Sequence, residues 1–273
     1  MSASIDNLIN VNFTKGRNDL LKFGLMLGGK GQHRPYVFTP ADLFLQGEQG
    51  AFYIPRPTVN GTQALFQDSA GTVPVTADGD PVGRMIDLSG NGNHATQSVS
   101  GSRPVYRTDG VLHWLEFGGV NSYIDVDITA SQPISLTLSA LFANTGTTVV
   151  YSTTDSTGSV RFDLLTVNDA SPDYRIYSGD PVVANGFSTP GEEATLSNLH
   201  NSGSSYIRKD GSLVSSGNSG TMGLSGFRLG SSFNTSSYFN GRVYGIYLRQ
   251  AIPSESELTK IESYFSSLRG ATL

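Results

Sequence analysis

The sequence predicts an all-β domain that ends in one amphipathic helix and carries an extended arm at its N-terminus. Three observations lead to this fold class. Glycine makes up 32 of 273 residues while only 15% are charged, which is typical of short strands joined by tight turns. Apolar and polar residues alternate with a period of two in several segments after Leu112. Asn-Gly occurs four times and Asp-Gly three times, and both dipeptides favour hairpin turns.

Residues 1–39 are predicted to form the arm. A segment this short cannot bury a core of its own, so we expect it to dock on the rest of the chain or on a neighbouring subunit. Residues 40–273 show neither an internal repeat nor a low-complexity linker and are predicted to form one domain. The apolar residues expected to anchor the arm are Ile5, Leu8, Ile9, Val11 and Phe13.

The clearest strands are predicted at 123–128 and 134–142, where apolar residues alternate with Asp, Ser and Thr. Such alternation places one face of a strand against the core and the other in solvent. Asp210-Gly211 lies between two further strand-like stretches and predicts a two-residue hairpin, because both residues tolerate a positive φ. The other predicted strands are 147–153, 160–167, 174–178, 205–209, 212–216, 227–231 and 241–249.

One helix is predicted at 253–270. Ser254 is a suitable N-cap, Glu257 three residues later completes a capping box, and Gly270 follows the end. Apolar residues recur at helical spacing, which predicts that one face of the helix packs against the sheets. These residues are Leu258, Ile261, Phe265 and Leu268.

The bulk composition argues against several classes of partner. The net charge is −5 and no run of Lys or Arg stands out, so nucleic acid is not an expected partner. There is no cysteine, which excludes disulfides and thiolate metal sites. We recognise no signal peptide and no apolar stretch long enough to span a membrane, so the product is expected to be soluble and made in a cytoplasm.

The stretch MIDLSGNGNHAT, residues 85–96, concentrates small oxygen-bearing side chains between glycines. Its alternate oxygen ligands match the first half of an EF-hand calcium loop, but Ser98 stands where that loop requires a bidentate glutamate. An EF-hand is therefore excluded, whereas a looser calcium site around Asp87 stays open. Asp and Asn also bond their own backbone and tolerate left-handed turns, and this structural interpretation is favoured.

No enzymatic motif emerges from the sequence, so the chain is not expected to be an enzyme. Residues 24–31 match phosphate-loop spacing up to the lysine but lack the following Ser or Thr. The seven glutamates do not form the paired carboxylates of a glycosidase, and the four histidines are scattered without a nucleophile elbow. The twelve tyrosines, with abundant Asn, are compatible with sugar stacking, although tyrosine is also an ordinary strand residue.

Four pieces of the sequence, in order, resemble the laminin-G-like branch of the concanavalin A-like fold. They are DLSGNGNHATQ at 87–97, LEFGGVNSYIDV at 115–126, YIRKDGSLVSSG at 206–217, and the closing strands and helix at 227–265. The resemblance implies a jelly-roll sandwich of two antiparallel sheets. Domains of this branch often bind calcium or glycans, and the positions that carry over as metal ligands are Asp87, Asn91 and Asn93.

Residues 41–106 are similar to a module of bacteriophage structural proteins in which Phe-Gln-Asp-Ser-Ala-Gly-Thr runs into the same glycine-rich turn. The sequence departs from that module at residues 54–57, which read Ile-Pro-Arg-Pro where Asp-Pro-Ser-Asp is usual. The binding role of that aspartate is therefore not carried over.

The resemblance leads to an expected function. The chain is predicted to be a non-enzymatic structural protein of a bacteriophage virion, a homo-oligomer that contacts capsid, collar or tail subunits. No cofactor is expected apart from calcium. The alternative is a carbohydrate-binding adhesin that attaches the virion to host surface glycans.

Overall fold

The computed structural model describes residues 37–143, 146–154, 162–167, 173–186 and 190–273, apart from the side chains of residues 165–167. The chain divides into two units, residues 1–37 and 38–273, and the strands and helices of the described residues all lie in the second. The arm's docking stays a prediction, because its apolar residues lie outside the described part of the chain. These residues are Ile5, Leu8, Ile9, Val11 and Phe13.

Short antiparallel strands and one α-helix build the described part of the chain. The strands are β1 Gly50–Tyr53, β2 Thr58–Val59, β3 Thr62–Gln63, β4 Leu65–Phe66, β5 Arg84–Met85, β6 Ala95–Thr96, β7 Val105–Thr108, β8 His113–Gly118, β9 Ile124–Ala130, β10 Ile134–Phe142, β11 Thr148–Ser152, β12 Phe162–Val167, β13 Asp173–Ser178, β14 Pro181–Asn185, β15 Glu192–His200, β16 Ser205–Lys209, β17 Ser212–Gly217, β18 Leu224–Leu229 and β19 Asn240–Arg249. The helix α1 is Glu255–Leu268, and a 3-10 helix lies at Pro40–Phe44.

The strands form two large antiparallel sheets and one small hairpin. The first sheet has the order β17-β16-β15-β10-β19-β8-β7, and β1 pairs with the end of β19 that β8 leaves uncovered. The second sheet has the order β14-β13-β12-β11-β18-β9-β6-β5-β4. Strands β2 and β3 pair only with each other. This arrangement confirms the predicted all-β sandwich of two antiparallel sheets.

The main core lies between the two sheets. From the first sheet it takes Leu136 and Leu138 on β10, and from the second it takes Ile124 and Val126 on β9. These side chains are at most 3% exposed. Alternate residues of each strand thus supply the inner faces, as the period-two pattern predicts.

Helix α1 covers the outer face of the first sheet, where it contacts β10, β15 and β19. The polar residues of β10 were expected to face solvent, and this prediction is wrong. Ser135, Thr137 and Ser139 are 4%, 2% and 0% exposed, because other chain segments cover this face. Hydroxyl pairs satisfy part of this buried layer, such as Thr195 with Ser266 of α1 at 2.8 Å.

Both ends of the helix agree with the prediction. Ser254 Oγ accepts a hydrogen bond from the Glu257 backbone N–H at 3.3 Å, and the Glu257 carboxylate accepts one from the Ser254 N–H at 2.7 Å. Gly245 on β19 allows the helix to approach closely, since a Cβ there would lie 2.6 Å from Leu268 and 3.0 Å from Phe265. No helix in the described part of the chain is long and apolar enough to cross a membrane.

Candidate functional site

Asp87 is the centre of a closed hydrogen-bonded turn. Its Oδ1 accepts the backbone N–H groups of Phe52 at 3.0 Å and Ser89 at 2.9 Å. Its Oδ2 accepts the Ser89 hydroxyl at 2.8 Å and the Asn93 N–H at 3.0 Å. The side chain is 5% exposed. The turn therefore fastens residues 87–93 to strand β1.

The two asparagines of the turn also hold β1 in place. The Asn91 amide donates to the Glu48 carbonyl at 2.9 Å and to the Gly50 carbonyl at 3.0 Å. The Asn93 amide donates to the same Gly50 carbonyl at 2.8 Å. All these bonds use the amide nitrogen as donor, so the structure gives both residues a role in positioning the backbone.

This geometry does not fit a calcium ion. A carboxylate offers about four lone-pair sites, and four donors already occupy those of Asp87. Calcium prefers six to eight oxygen ligands. Among the described residues, no three His, Asp or Glu side chains are grouped so that they could hold a metal. Calcium binding by Asp87, Asn91 and Asn93 stays a prediction without support from the geometry.

A groove of about 420 Å³ lies beside this turn, between β1, the β2–β3 hairpin and α1. Its volume falls within the range of small-ligand sites. The groove is lined by Thr39, Ala41, Phe52, Ile54, Arg56, Thr58, Val59, Asn60, Leu88, Tyr264, Ser267 and Leu268.

The floor of the groove is apolar and rigidly placed. Phe52 and Ile54 come from β1 and the residue that follows it, and the Asp87 turn fixes their position through the Phe52 N–H. Leu88 belongs to the turn itself, and its N–H donates to the Phe52 carbonyl at 2.8 Å. The sequence thus uses its glycine-rich turn to build one side of the groove.

Two other elements supply the walls. The β2–β3 hairpin turns at Asn60 and Gly61, whose φ values are 51° and 78°, the positive φ pair expected of a type I′ turn. This turn places Thr58 and Asn60 at the exposed rim. On the opposite side, α1 contributes Tyr264.

Tyr264 gives the groove an aromatic wall. Its ring packs edge-on against Phe52, with centroids 5.8 Å apart, and against Phe265, with centroids 5.6 Å apart. Burial raises the pKa of its hydroxyl, and the nearby charge of Arg56 partly opposes this shift. The ring is only partly buried, so its remaining surface is open to a ligand.

Arg56 is the cation of the groove. Its backbone N–H donates to the Ile54 carbonyl at 2.9 Å, and its side chain is exposed. Among the described arginines, only Arg56 has a side chain without a hydrogen bond, an ion pair or a ring contact. Each of the other described arginines has a side-chain partner. These arginines are Arg84, Arg103, Arg107, Arg175, Arg208, Arg228, Arg242, Arg249 and Arg269.

Two other polar clusters are occupied by their own partners. A smaller cavity of about 240 Å³ contains Arg208 and Glu262, which pair with each other at 2.8 Å. On the second sheet, Arg228 pairs with Asp125 at 2.6 Å and lies 4.1 Å above the ring of Tyr123. Neither cluster offers an unpaired charge comparable to that of Arg56.

Among the residues that the structure describes, none that lines the groove is a carboxylate. Glycoside hydrolysis in most families uses two carboxyl groups roughly 5 to 9.5 Å apart, one with a raised pKa. Burial raises the pKa of Glu48 and of Glu257, but hydrogen bonds and the charge of Arg249 lower both values overall. Hydrogen bonds also lower the pKa of Asp68 and Asp109. The groove itself offers hydrogen-bonding groups, a cation and an aromatic ring.

Neither Arg56 nor Tyr264 was predicted from the sequence as a site residue. They are 208 positions apart, as their numbers show, and meet only because α1 returns to β1. One indication of Arg56 was present in the sequence. At residues 54–57 it differs from the similar phage module, and an arginine stands where that module has a serine.

Several solved structures share this fold at low sequence identity. A GH54 arabinofuranosidase has a TM-score of 0.56 at 14% identity, covering 86% of this chain and 66% of that one. The sialidase of Trypanosoma rangeli has a TM-score of 0.53 at 14% identity, covering 81% of this chain and 33% of that one. The present chain therefore spans about a third of the length of the sialidase.

A third structure is matched over nearly its whole length. Domain 4 of AbnA, a GH43 extracellular arabinanase from Geobacillus stearothermophilus solved in complex with arabinotriose, has a TM-score of 0.50 at 17% identity. The match covers 64% of this chain and 91% of that domain. Likeness at these identities shows the fold.

No protein-family model and no curated protein matches the sequence, so the resemblance to laminin-G-like phage modules stays a prediction. Two other predictions are contradicted. The chain was expected to be a non-enzymatic virion structural protein, whereas the similar solved structures are carbohydrate-active enzymes or a domain of one. The same finding contradicts the expectation that the chain is not an enzyme. The alternative, carbohydrate binding, agrees better with these comparisons.

Proposed function

We propose that residues 38–273 form a carbohydrate-binding domain that holds an oligosaccharide in the groove beside Tyr264. The observation that carries this proposal is the composition of the groove. A partly exposed tyrosine ring and apolar side chains line the groove together with a guanidinium, an amide and hydroxyls. Small-ligand sites combine an apolar surface with a few placed polar groups in this way.

A sugar ring matches both halves of this lining. Its C–H face is apolar and packs on an aromatic ring, while its hydroxyls donate and accept hydrogen bonds at the edge. At the rim, the Asn60 amide offers donors and an acceptor, and the hydroxyl of Thr58 offers both. Support also comes from the arabinanase domain, which shares the fold and was solved with arabinotriose.

The first test is a binding screen of the full chain against neutral and acidic oligosaccharides, followed by calorimetry on the best ligand. We expect Tyr264→Ala to weaken binding about tenfold or more, because it removes the aromatic wall. Asn60→Gly is a second variant that removes the amide while preserving the turn, since glycine accepts the φ of 51° found there. Mass spectrometry of the incubated ligand reports whether it is also cleaved.

The matched control is Tyr238→Ala, which removes a partly exposed tyrosine near Arg228 on the second sheet. We expect this variant to bind like the wild type. If Tyr238→Ala abolishes binding while Tyr264→Ala and Asn60→Gly leave it intact, the site lies near Tyr238 and Arg228 and the groove is not the binding site. If no saccharide binds, the proposed function is wrong.

A further inference from the structure

The charge balance of the groove identifies a narrower class of ligand. Within the described part of the chain, Arg56 supplies one positive charge to the lining, and no lining residue supplies a negative one. The chain as a whole carries a net charge of the opposite sign, −5 in total. An uncompensated guanidinium in an acidic protein is therefore a local exception.

The two carboxylates that are direct sequence neighbours of groove residues are already engaged. Asp42 follows Ala41, and its Oδ2 accepts the Thr39 N–H at 2.8 Å and the Thr39 hydroxyl at 3.2 Å. Asp87 precedes Leu88, and both of its oxygens are filled by donors of its own turn and of β1. The geometry thus leaves Arg56 available for a ligand.

The charge of Arg56 acts on the surrounding groups. Burial lowers the pKa of His113 on β8, and Arg56 lowers it further. Arg56 also opposes the upward shift that burial gives the pKa of Tyr264. The charge of Arg56 therefore reaches the Tyr264 side of the groove, where a ligand would also experience it.

We propose that the groove selects saccharides that carry a carboxylate, and that Arg56 binds this carboxylate while the sugar ring packs on Tyr264. The inference rests on the proposed function and narrows it to acidic sugars. A guanidinium is planar and presents paired N–H donors that match the two oxygens of a carboxylate. A neutral sugar would leave this cation without a partner.

The test compares an acid with its own ester. Calorimetry measures binding of trigalacturonic acid and of its methyl ester to the full chain, with sialyllactose and lactose as a second acid and neutral pair. We expect each acid to bind about tenfold or more tightly than its neutral counterpart, as a charge-assisted hydrogen bond provides. Added salt should weaken binding of the acids more than binding of the neutral ligands.

Arg56→Gln is expected to remove the preference for the acidic ligand. Arg56→Lys should retain part of this preference, since lysine keeps the positive charge but lacks the paired N–H donors of the guanidinium. Because Arg56 is exposed and unpaired, neither change should lower the melting temperature. The matched control is Lys260→Gln, which removes one positive charge from an exposed position of α1 outside the groove. This control should keep the full preference for the acid.

The outcomes separate the two proposals. If neutral and acidic ligands bind equally, or if the preference survives in Arg56→Gln, the acidic class is wrong while carbohydrate binding stands. If neither the acids nor the neutral sugars bind, both proposals are wrong. If only one acid of the two pairs binds, the class stands and the experiment also distinguishes a uronic from a sialic acid.

Discussion

At the scale of single residues, Asp87 joins the glycine-rich turn to the groove. Its carboxylate satisfies the backbone N–H of Phe52, which is otherwise buried without a partner. Phe52 in turn packs against Tyr264. The Asp87 side chain therefore connects the glycine-rich turn to the floor of the groove and, through Phe52, to its aromatic wall.

We expect Asp87→Ala to lower the free energy of unfolding by about 2–4 kcal/mol, because it leaves buried donors unsatisfied. It should also weaken saccharide binding, since β1 loses an anchor. Urea unfolding and calorimetry measure the two effects. Asp127→Ala is the control, as Asp127 lies exposed on β9 and should change stability by no more than about 0.5 kcal/mol. Equal effects of the two changes would contradict the role given to Asp87.

His200 is a buried histidine that makes stability depend on pH. It is 0% exposed, its ring stacks on Phe162 with centroids 4.0 Å apart, and its Nδ1 lies 2.7 Å from the Ser178 hydroxyl. Burial lowers its pKa to about 3. The folded protein therefore holds this histidine neutral at pH values where the unfolded chain, with a pKa of about 6.5, takes up a proton.

The direction in which stability changes with pH follows from the difference between the folded and the unfolded pKa of His200. The stability due to neutral His200 is fully present above about pH 6.5 and is lost as the pH falls from there towards 3. Between about pH 6.5 and 5, we expect the free energy of unfolding to decrease by up to about 1.4 kcal/mol per pH unit. His200→Gln should flatten this part of the profile in urea unfolding. An unchanged slope in the variant would show that other groups cause the pH dependence.

At the scale of elements, periodicity predicts the longer strands of the second half of the chain better than the short strands of the first half. Strand β9 and the β16–β17 hairpin follow the sequence pattern, and Asp210 has the positive φ of 47° that its turn requires. Strands β2 to β6 contain two residues each, too few to show a period. Strand β15 is mostly buried on both faces, which hides its alternation, and no strand was predicted there.

The burial of β10 has a similar cause. Its serines and threonine alternate with apolar residues, which is the pattern of a strand with one face in solvent. Nothing in this local pattern predicts that α1 packs over these polar residues. The groove also could not be predicted from local sequence patterns, because its lining comes from the beginning and the end of the domain. The sequence predicted strands β9 to β13, strands β16 to β19 and the helix, whereas the contacts between distant elements required the structure.

The capping box of α1 allows a separate test of a feature predicted from sequence. We expect Ser254→Ala to lower the free energy of unfolding by about 1 kcal/mol, because the Glu257 N–H loses its acceptor. Thermal unfolding measures the change. Ser256→Ala, in the exposed first turn, is the matched control and should be neutral or slightly stabilising, since alanine favours the helix. A loss in Ser256→Ala equal to that in Ser254→Ala would contradict the cap.

At the scale of the whole molecule, the core and the candidate site are separate. The main core lies between the sheets, whereas the groove lies at the junction of β1, the β2–β3 hairpin and α1. Exposed groove residues such as Arg56 and Asn60 can therefore be exchanged without disturbing the sandwich. This separation allows one fold to carry different binding sites. The likeness to sialidase and arabinofuranosidase therefore does not specify the ligand, which depends on the residues of the groove.

Locating the bound saccharide decides whether the groove beside Tyr264 is the binding site. Fluorotyrosine NMR of the full chain, with signals assigned by single Tyr→Phe changes, reports on the surroundings of each tyrosine during a saccharide titration. We predict that the Tyr264 signal shifts in a saturable way while those of Tyr123 and Tyr238 do not move. A saturable shift of Tyr123 or Tyr238 with a stationary Tyr264 signal would contradict binding in the groove, because the ligand would then lie near Arg228.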